Sequence, residues 1–577
     1  MINFRQYPAM TSVTIPNNIR LSSGDFSNSF YSMRNLVNSN FNHSDVTNMY
    51  GTYDNCSNLT GSPVCGDNVS SMCFAYYNCR NLTGNPACGD KVTSMYSTYD
   101  DCSNLTGSPV CGNNVTNMYG TYSNCYNLTG SPVCGDKVTS MGYTYYNCTN
   151  LTGSPVCGNN VTNMCNTYFR CSNLTGSPVC GNSVTSMSSA YKNCRNLTGS
   201  PVCGENVTYM SEAYYGCRNL TGSPVCGENV IHMSEAYLGC SNLTGSPVCG
   251  ENVMYMIHTY AYCSNLTGSP VCGEKVISME NTYAHCSNLT GSPVCGEKVT
   301  NMKNAYHNCT NLTGSPVCGE NVMYMSDAYR YCTNLTGSPV CGNKVVNLSE
   351  TYSCCYNLTG SPVCGENVTD MRETYSYCYN LTGSPVCGEN VTDMSFTYYN
   401  CRNLTGSPVC GNKVTNMACA YAYCTNLTGS MYCYNANITN FRACFVGKNN
   451  SYRINVYVPT GSTTNTSVSV NNKDSIVMAN ITWSTNTSNS CYYNTVYNIY
   501  IYPVNSVREA YLSTEYDTLL IPTSYNDNHV DTVTMQPKTT WVYNAVEEIV
   551  DNGCLVSTTI DTEQLTGVTI NKVEVTV

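Results

Sequence analysis

The apolar residues of this chain recur every 23 residues rather than with the 3.6-residue period of a helix. A typical unit runs from Cys102 to Cys125. Its apolar positions are Leu105, Val115, Met118 and Tyr122. Seventeen copies of Asn-Leu-Thr-Gly mark the same interval along most of the sequence. Because so short a unit cannot bury a core alone, we expect its apolar columns to stack on those of the neighbouring units.

Each unit predicts one short strand and one turn. The Val-Ser-Ser-Met segment that starts at Val69 alternates apolar and polar residues and opens on a β-branched residue, as short strands do. A turn is expected at Gly61 to Pro63, since a proline in every unit would leave a strand there without a ladder donor. We therefore predict a parallel sheet through the Val-Thr-x-Met segments, with Val64 and Cys65 also facing inward.

The repeat has recognisable limits. Its earliest copies are weak, with Met33 in place of a cysteine, as expected for a cap that meets water. At the far end the pattern slips by one residue, because Ile438 and Phe441 fall one place late. These limits predict an N-terminal cap, about 18 coils of 23 residues and a small β-rich C-terminal domain, in residues 1–25, 26–445 and 446–577 respectively.

The C-terminal domain consists of strand-like runs joined by Ser, Thr and Asn. The runs lie at residues 453–458, 467–470, 481–483, 496–502 and 567–577, and residues 541–550 form the predicted helix. The domain either caps the open end of the stack or docks to a larger assembly, and the sequence leaves both open.

One segment of the unit is similar to a known repeat. The pattern Val-Thr-Asn-Met-x-x-Thr-Tyr-x-x-Cys-x-Asn-Leu, from Val115 to Leu128, resembles the BspA-type leucine-rich repeat and the related repeat of mycoplasma surface lipoproteins. The resemblance covers about 420 of 577 residues, although Gly-Ser-Pro-Val-Cys-Gly departs from the family's Ile-x-Ile-Pro strand. It implies a mainly β, leucine-rich-repeat-like solenoid that adheres to partners and has no catalytic residues.

Composition and charge narrow the function classes. With a net charge of −11 and no basic stripe, the chain is not expected to bind nucleic acid. No run approaches the roughly 18 apolar residues of a membrane span, and the N-terminus lacks the pattern of a signal peptide. The sequence shows no pattern that would combine a nucleophile, a base and an orienting group, and His529 has no candidate catalytic residue near it in the sequence. We therefore predict neither an enzyme nor a cofactor.

Thirty-four of the 41 cysteines form two columns, which run from Cys56 to Cys424 and from Cys65 to Cys433. Zinc is disfavoured, because no Cys-x-x-Cys pair and only six histidines are present. So many cysteines would normally indicate disulfides in an oxidising compartment. Cysteine is also a small side chain that packs readily in cores, and the columns favour reduced, packed thiols.

Two polar columns accompany the cysteines. The asparagines at Asn58, Asn81 and Asn104 are predicted to turn inward as a ladder of amides that satisfies backbone groups. Asn-Leu-Thr is also a glycosylation sequon, which is the weaker interpretation. The tyrosines of the column at Tyr53 and Tyr76 are expected to be core residues whose hydroxyls reach an edge.

An acidic column follows Pro-Val-Cys-Gly. We predict a solvated ridge, partly compensated by Lys275 and Lys298, and a calcium site as the weaker candidate because calcium takes clustered oxygens. No other metal is expected. The ridge residues are Glu205, Glu228, Glu251, Glu274, Glu297 and Glu320.

The two residues after each methionine and the two before each cysteine vary freely between copies. They supply Tyr, His, Arg and Asn, which suit contacts with glycans or proteins. Neutral drift of exposed positions accounts for the variation equally well, and both interpretations stay open here. The predicted ligand-binding face comprises Tyr96, Tyr119, Tyr143, Tyr145, Phe169, Arg170, His258, His285 and Arg330.

These features predict a non-enzymatic adhesion protein whose long repetitive surface binds host-cell glycans or proteins with high avidity. We expect it in a bacteriophage particle, as a tail or decoration component, or at an extracellular surface, with the C-terminal domain contacting other virion proteins. The alternative is a cytoplasmic scaffold or spacer that has no surface ligand.

Overall fold

The computed structural model describes residues 4–15, 24–40 and 43–433, the single residues 435, 438, 440, 444 and 445, and four short strands beyond them. The chain divides into two compact units, Met1–Gly296 and Glu297–Val577. Repeated coils make up most of the described residues in both units, and the coil geometry is the same in each.

Regular secondary structure is sparse in the described residues of the first unit. It has two short 3-10 helices, Phe4–Gln6 and His43–Asp45. Strand β1 (Ser12–Thr14) pairs in parallel with strand β2 (Asn38–Asn40).

The second unit contains a sheet of five strands. They are β3 (Gly429–Tyr432), β4 (Ile454–Val458), β5 (Asn498–Pro503), β6 (Leu519–Leu520) and β7 (Val573–Thr576), in the order β3-β4-β5-β7-β6. The β5–β7 pair is antiparallel and the other pairs are parallel.

Three of these strands agree with the sequence prediction: β4 and β7 lie in the runs at 453–458 and 567–577, and β5 overlaps the run at 496–502 and ends one residue beyond it. Strands β3 and β6 were not predicted, and β6, with two residues, is too short to show a period. The predicted strands at 467–470 and 481–483, the helix at 541–550 and His529 lie outside the described residues.

The coils are joined by a ladder of single parallel bridges. In the first unit eleven consecutive bridges link residues from Asp25 to Ser278, and in the second unit six link residues from Asn301 to Asn440. In most coils the bridging residue directly precedes the methionine, and Asp25 and Asn347 precede Phe26 and Leu348 in the same column. The predicted sheet therefore has the right position and direction, but each coil contributes one bridge rather than a strand. The last bridge, Asn416 to Asn440, shows the expected one-residue slip.

Tight turns directly after the methionine keep the bridge from growing into a strand. In a typical coil the Thr121 amide donates to the Met118 carbonyl at 3.0 Å, and a second turn follows four residues later. The third residues of these turns, Gly120 and Asn124, have φ angles of +62° and +58°, as type II turns require. Alternate amides from Met118 to Asn124 donate to the next coil, so the backbone is satisfied between coils.

The core columns are buried as predicted, with one correction. Leucine, valine, methionine, tyrosine and the first cysteine column are inaccessible in coil after coil, as at Met118. Val64, however, is 40% exposed and Cys65 is half-buried, so neither points fully inward. The reason is that Pro63 takes the buried position, after Gly61 has turned the chain with a φ of +84°.

Each core tyrosine braces its own coil. The Tyr122 hydroxyl donates to the Val110 carbonyl at 2.7 Å and accepts from the Val110 amide at 2.9 Å. The same pair of bonds recurs in both units, for example at Tyr76 and Tyr398. The hydroxyls therefore cross the coil to its proline side. We had expected them to reach an edge, and this was wrong. Burial raises the pKa of Tyr122 well above its ordinary value.

Replacing Tyr145 by phenylalanine is expected to lower the free energy of unfolding by about 1–3 kcal/mol, because the Val133 amide and carbonyl lose their partner. Tyr209→Phe is the matched control, since Tyr209 is 48% exposed and its change should stay within ~0.5 kcal/mol. Urea denaturation followed by circular dichroism measures both. Equal stability of the two variants would contradict the bracing role.

Candidate functional site

The turns after each methionine determine which residues face outward. They present two pairs per coil, the two residues after the methionine and the two before the cysteine, which we call the variable face. The second residue of each pair is left-handed, as at Tyr143 and Asn147, whose φ angles are +56° and +64°. Ring contacts such as that between Tyr143 and Tyr146, at 5.5 Å, place the two pairs of a coil side by side.

Eight aromatic rings form a continuous run on the variable face of the first unit. We call this run the aromatic ladder: Tyr50, Phe74, Tyr77, Tyr96, Tyr119, Tyr143, Tyr146 and Phe169. Neighbouring ring centroids lie 4.6–5.9 Å apart. The ladder crosses six consecutive coils, or about 24 Å at the usual spacing of strands.

Small residues make room for these rings. A Cβ atom on Gly142 would lie 2.9 Å from Cδ2 of Tyr119, so the Tyr119 ring occupies the space that any other residue would fill. At the end of the ladder the Arg170 guanidinium lies over the Phe169 ring, 5.3 Å from its centroid. The ladder thus ends in a cation–π contact.

Several residues of the variable face have a left-handed backbone conformation, which is unfavourable for large side chains. Phe74, Tyr143 and Arg170 have φ angles of +55°, +56° and +60°. Glycine and asparagine adopt this region readily, as Gly120 and Asn124 do in the same columns. A bulky residue there costs of order 1–3 kcal/mol and is commonest at functional sites.

Five of the nine residues predicted for the face belong to the ladder or its end: Tyr96, Tyr119, Tyr143, Phe169 and Arg170. The prediction missed four rings, Tyr50, Phe74, Tyr77 and Tyr146. All four occupy the same variable columns, so tracing each column through consecutive copies would have found them.

Tyr145 was assigned to the face wrongly. Its side chain is fully buried, and its hydroxyl bonds to the backbone of Val133. In a strand, Tyr143 and Tyr145 would point to the same side because they are two residues apart. The left-handed Tyr143 breaks that alternation, so one ring faces solvent and the other lies in the core.

The remaining predicted residues lie away from the ladder. His258 is half-buried in the first unit, and His285 stacks on Tyr262 with 4.4 Å between ring centroids. Arg330, in the second unit, pairs with Glu350 and with Asp327. Because its charge is already neutralised, Arg330 is a poor ligand contact.

The acidic ridge has no metal-binding geometry. Its glutamates are exposed in both units, and no group of three His, Cys, Asp or Glu side chains in the described residues is placed to hold a metal ion. Lys275 was expected to compensate the carboxylates, but its ammonium donates to the Asn252 side chain at 2.6 Å. The calcium candidate therefore gains no support.

The asparagine column was predicted to turn inward, and this was wrong. Asn58, Asn81 and Asn104 are exposed, and their amides bond to one another between coils, as from Asn81 to Asn58 at 3.3 Å. The chain leaves the core after the cysteine and returns only at the following leucine. The amides form a ladder on the surface and bond to one another there, as also from Asn127 to Asn104 at 3.4 Å.

The described cysteines are free thiols, and those of the two columns bond to backbone groups. In the inner column the Cys125 thiol donates to the Tyr99 carbonyl at 3.0 Å. In the outer column the Cys65 sulfur accepts the Gly89 amide at 3.2 Å. Burial raises the pKa of the half-buried Cys180 from 9.0 to about 12, which suppresses the reactive thiolate at neutral pH.

This shift predicts loss of stability in alkali. The pKa is raised in the folded chain for Cys88, Cys134, Cys180 and Cys226, each to about 12 from 9.0. The contribution of these protonated thiols to the stability of the folded chain is therefore complete below about pH 9. It decreases as the pH rises towards about 12, where the folded thiols also ionise.

Thermal unfolding measured between pH 7 and about pH 11 checks this expectation. The transition temperature should be steady at the lower pH values and fall above about pH 9. A transition that stays constant throughout would show that the thiols are less buried than the coil geometry requires.

In the described part of the chain, no helix reaches the length and apolarity needed to cross a membrane.

Comparisons with known proteins identify no family for the whole chain. A leucine-rich repeat protein of Bacteroides ovatus superposes with 11% identity and a TM-score of 0.25, over 78% of this chain and 87% of its own. A leucine-rich cell surface protein of Faecalibacterium prausnitzii has 14% identity and a TM-score of 0.23, over 72% and 87%. Such TM-scores carry no argument for fold or function. Among curated proteins, none shows significant similarity to the sequence.

A family model for the Kazal-type serine protease inhibitor domain matches residues 189–223 and 304–328. These segments are a minor part of the chain. Their cysteines are placed as in other coils, and the Cys194 thiol donates to the Tyr168 carbonyl at 2.9 Å. Within the matched residues, Cys194, Cys203 and Cys217 are thiols.

Proposed function

We propose that this chain is a non-enzymatic adhesion protein that binds a host-surface glycan or protein through the aromatic ladder. The observation that carries the proposal is the contact of eight rings across six consecutive coils. The proposal places this surface on a bacteriophage particle or outside a cell, where a host ligand is within reach.

The chemistry of the ladder suits recognition. Tyrosine offers a large rigid contact area with few rotatable bonds and a polar hydroxyl at its tip. The apolar face of a sugar ring, or an apolar patch of a protein, can pack on such rings. Arg170 adds a guanidinium at one end, and aromatic residues and arginine are the side chains enriched at binding hot spots.

Neutral drift accounts for the ladder less well than binding does. Drift would scatter rings among the coils, whereas in the three coils after the ladder the pair that follows the methionine consists only of serine and glutamate, as at Ser189 and Glu212. In the ladder the rings are contiguous, and Phe74 and Tyr143 occupy left-handed positions. The contiguity of the rings supports selection for a surface, whereas left-handed strain also occurs outside the ladder, as at Phe396.

The combined variant Tyr119→Ala and Tyr143→Gly is expected to reduce ligand binding at least tenfold, by ~1.4 kcal/mol or more, while stability is kept. Glycine relieves the left-handed strain at position 143, so the thermal transition should remain or rise. Phe396→Gly, at a φ of +55° in the second unit, is the matched control. It removes a strained ring outside the ladder and should leave binding unchanged.

Labelled protein on a glycan array and on intact candidate host cells measures the binding. Retained binding by the double variant would overturn the ladder as the site. Failure of the unaltered protein to bind either surface would contradict adhesion and favour the scaffold alternative.

A further inference from the structure

A trough of about 590 Å³ opens on the variable face beyond the ladder, in the coils between Asn193 and His285. It exists because the residue before the inner cysteine is glycine in two successive coils, Gly216 and Gly239. In the other coils a side chain stands there. A Cβ atom on Gly239 would meet nothing nearer than 3.9 Å, so the floor of the trough is open space.

The two ends of the trough differ in chemistry. At one end the Asn193 side chain lies over Gly216, where a Cβ atom would be 2.6 Å from its Oδ1. At the other end stands Tyr262, which is 55% exposed. One face of the Tyr262 ring is covered by His285 of the next coil, so its other face is turned towards Gly239.

The two sides are an apolar wall and a polar wall. Tyr215 and Leu238 line the first, and Lys192 lies 4.4 Å from the centroid of the Tyr215 ring while paired with Glu212 at 2.8 Å. Arg218 and the serines of the next two coils line the second. Arg218 is exposed.

The charge at this point is unusual for the molecule. The chain carries a net charge of −11 and repels anions at long range. Arg195 and Arg218 nevertheless stand in the same column of successive coils, and both are exposed. Neither makes an ion pair within the described residues. A local cationic edge on an acidic protein selects an anionic group over a neutral one.

We propose that this trough binds an acidic pyranose unit of a glycan, with the sugar ring packed on Tyr262 and the carboxylate on Arg218. Three coil spacings of about 4.8 Å separate Asn193 from Tyr262, which gives a sugar unit room to lie between them. The inference rests on the proposed adhesive function and names the ligand class of a second position on the same face.

The probes are methyl glucuronide and methyl glucoside. They differ only at C6, which is a carboxylate in the first and a hydroxymethyl group in the second. Isothermal titration or ligand-observed NMR on the full chain is expected to show at least about tenfold tighter binding of the glucuronide, because a guanidinium–carboxylate bond is charge-assisted. Equal binding of the two sugars, or no binding of either, would overturn the proposal.

Two variants locate the site. Gly239→Asn fills the trough with the residue that its own column uses most often, and Asn accepts a left-handed φ such as the +74° found here; it should abolish glucuronide binding without lowering the thermal transition. Arg218→Ser should reduce the affinity for glucuronide to that for glucoside. Arg402→Ser, the same change in the same column of the second unit, should have no effect.

The outcomes separate this inference from the proposed function. Glucuronide binding that survives Gly239→Asn places the ligand elsewhere and overturns the trough. If the unaltered chain fails to bind glucuronide but still binds a ligand through the ladder, only the proposal for the trough is refuted. Absence of both overturns the adhesive function as well.

Discussion

The stacked coils depend on the pair of hydrogen bonds between a buried tyrosine hydroxyl and the valine backbone after the proline. Proline removes a donor from that side of the coil, and the valine there has no bridge to a neighbouring coil. The tyrosine hydroxyl supplies a partner for both the amide and the carbonyl of that valine. At Ala87, which replaces the valine, the Tyr99 hydroxyl makes the same two bonds at 2.6 and 3.0 Å, because the interaction is with the backbone and does not need a particular side chain.

The same tyrosine also joins neighbouring coils. Successive rings stack with centroids about 5.5 Å apart, as between Tyr122 and Tyr99. At the first coils Phe30 continues the stack between Phe4 and Tyr53. One side chain therefore braces its coil and packs on the next, which allows the rest of the coil to consist of turns rather than strands.

Those turns decide where function can appear. The turns after each methionine contain two left-handed positions per coil, and glycine or asparagine is the residue that fits them without strain. The ladder departs from this rule, because at Tyr143 a ring stands where a small residue would be more stable. The trough follows the rule, because Gly239 has no side chain where asparagine is the commonest residue of the column. Both cases change the surface and leave the core column untouched.

The sequence predicted what depends on the period and failed where turn geometry decides. The core columns, the bridge position and strands β4, β5 and β7 follow from spacing and alternation. The inward or outward direction of Asn58 and Val64 does not, because left-handed residues and the buried proline break the alternation that a strand would impose. Tyr145 lies in the tyrosine column that the period predicts to be core, so its assignment to the face went against the period. A fixed period identifies equivalent residues in all coils, but it does not say which way any of them points.

The division between repeated and variable residues also bears on how such a surface binds. Asn-Leu-Thr-Gly-Ser-Pro-Val-Cys-Gly is nearly invariant between copies and forms the supporting side of each coil. The face carries different chemistry along the chain, with the ladder up to Phe169, the trough between Asn193 and His285, and the ion pairs around Arg330 in the second unit. Near-identical coils thus present different side-chain chemistry along the chain. Under the proposed adhesive function, a ligand that engages both the ladder and the trough would gain avidity from different contacts on one chain, rather than from many copies of one contact.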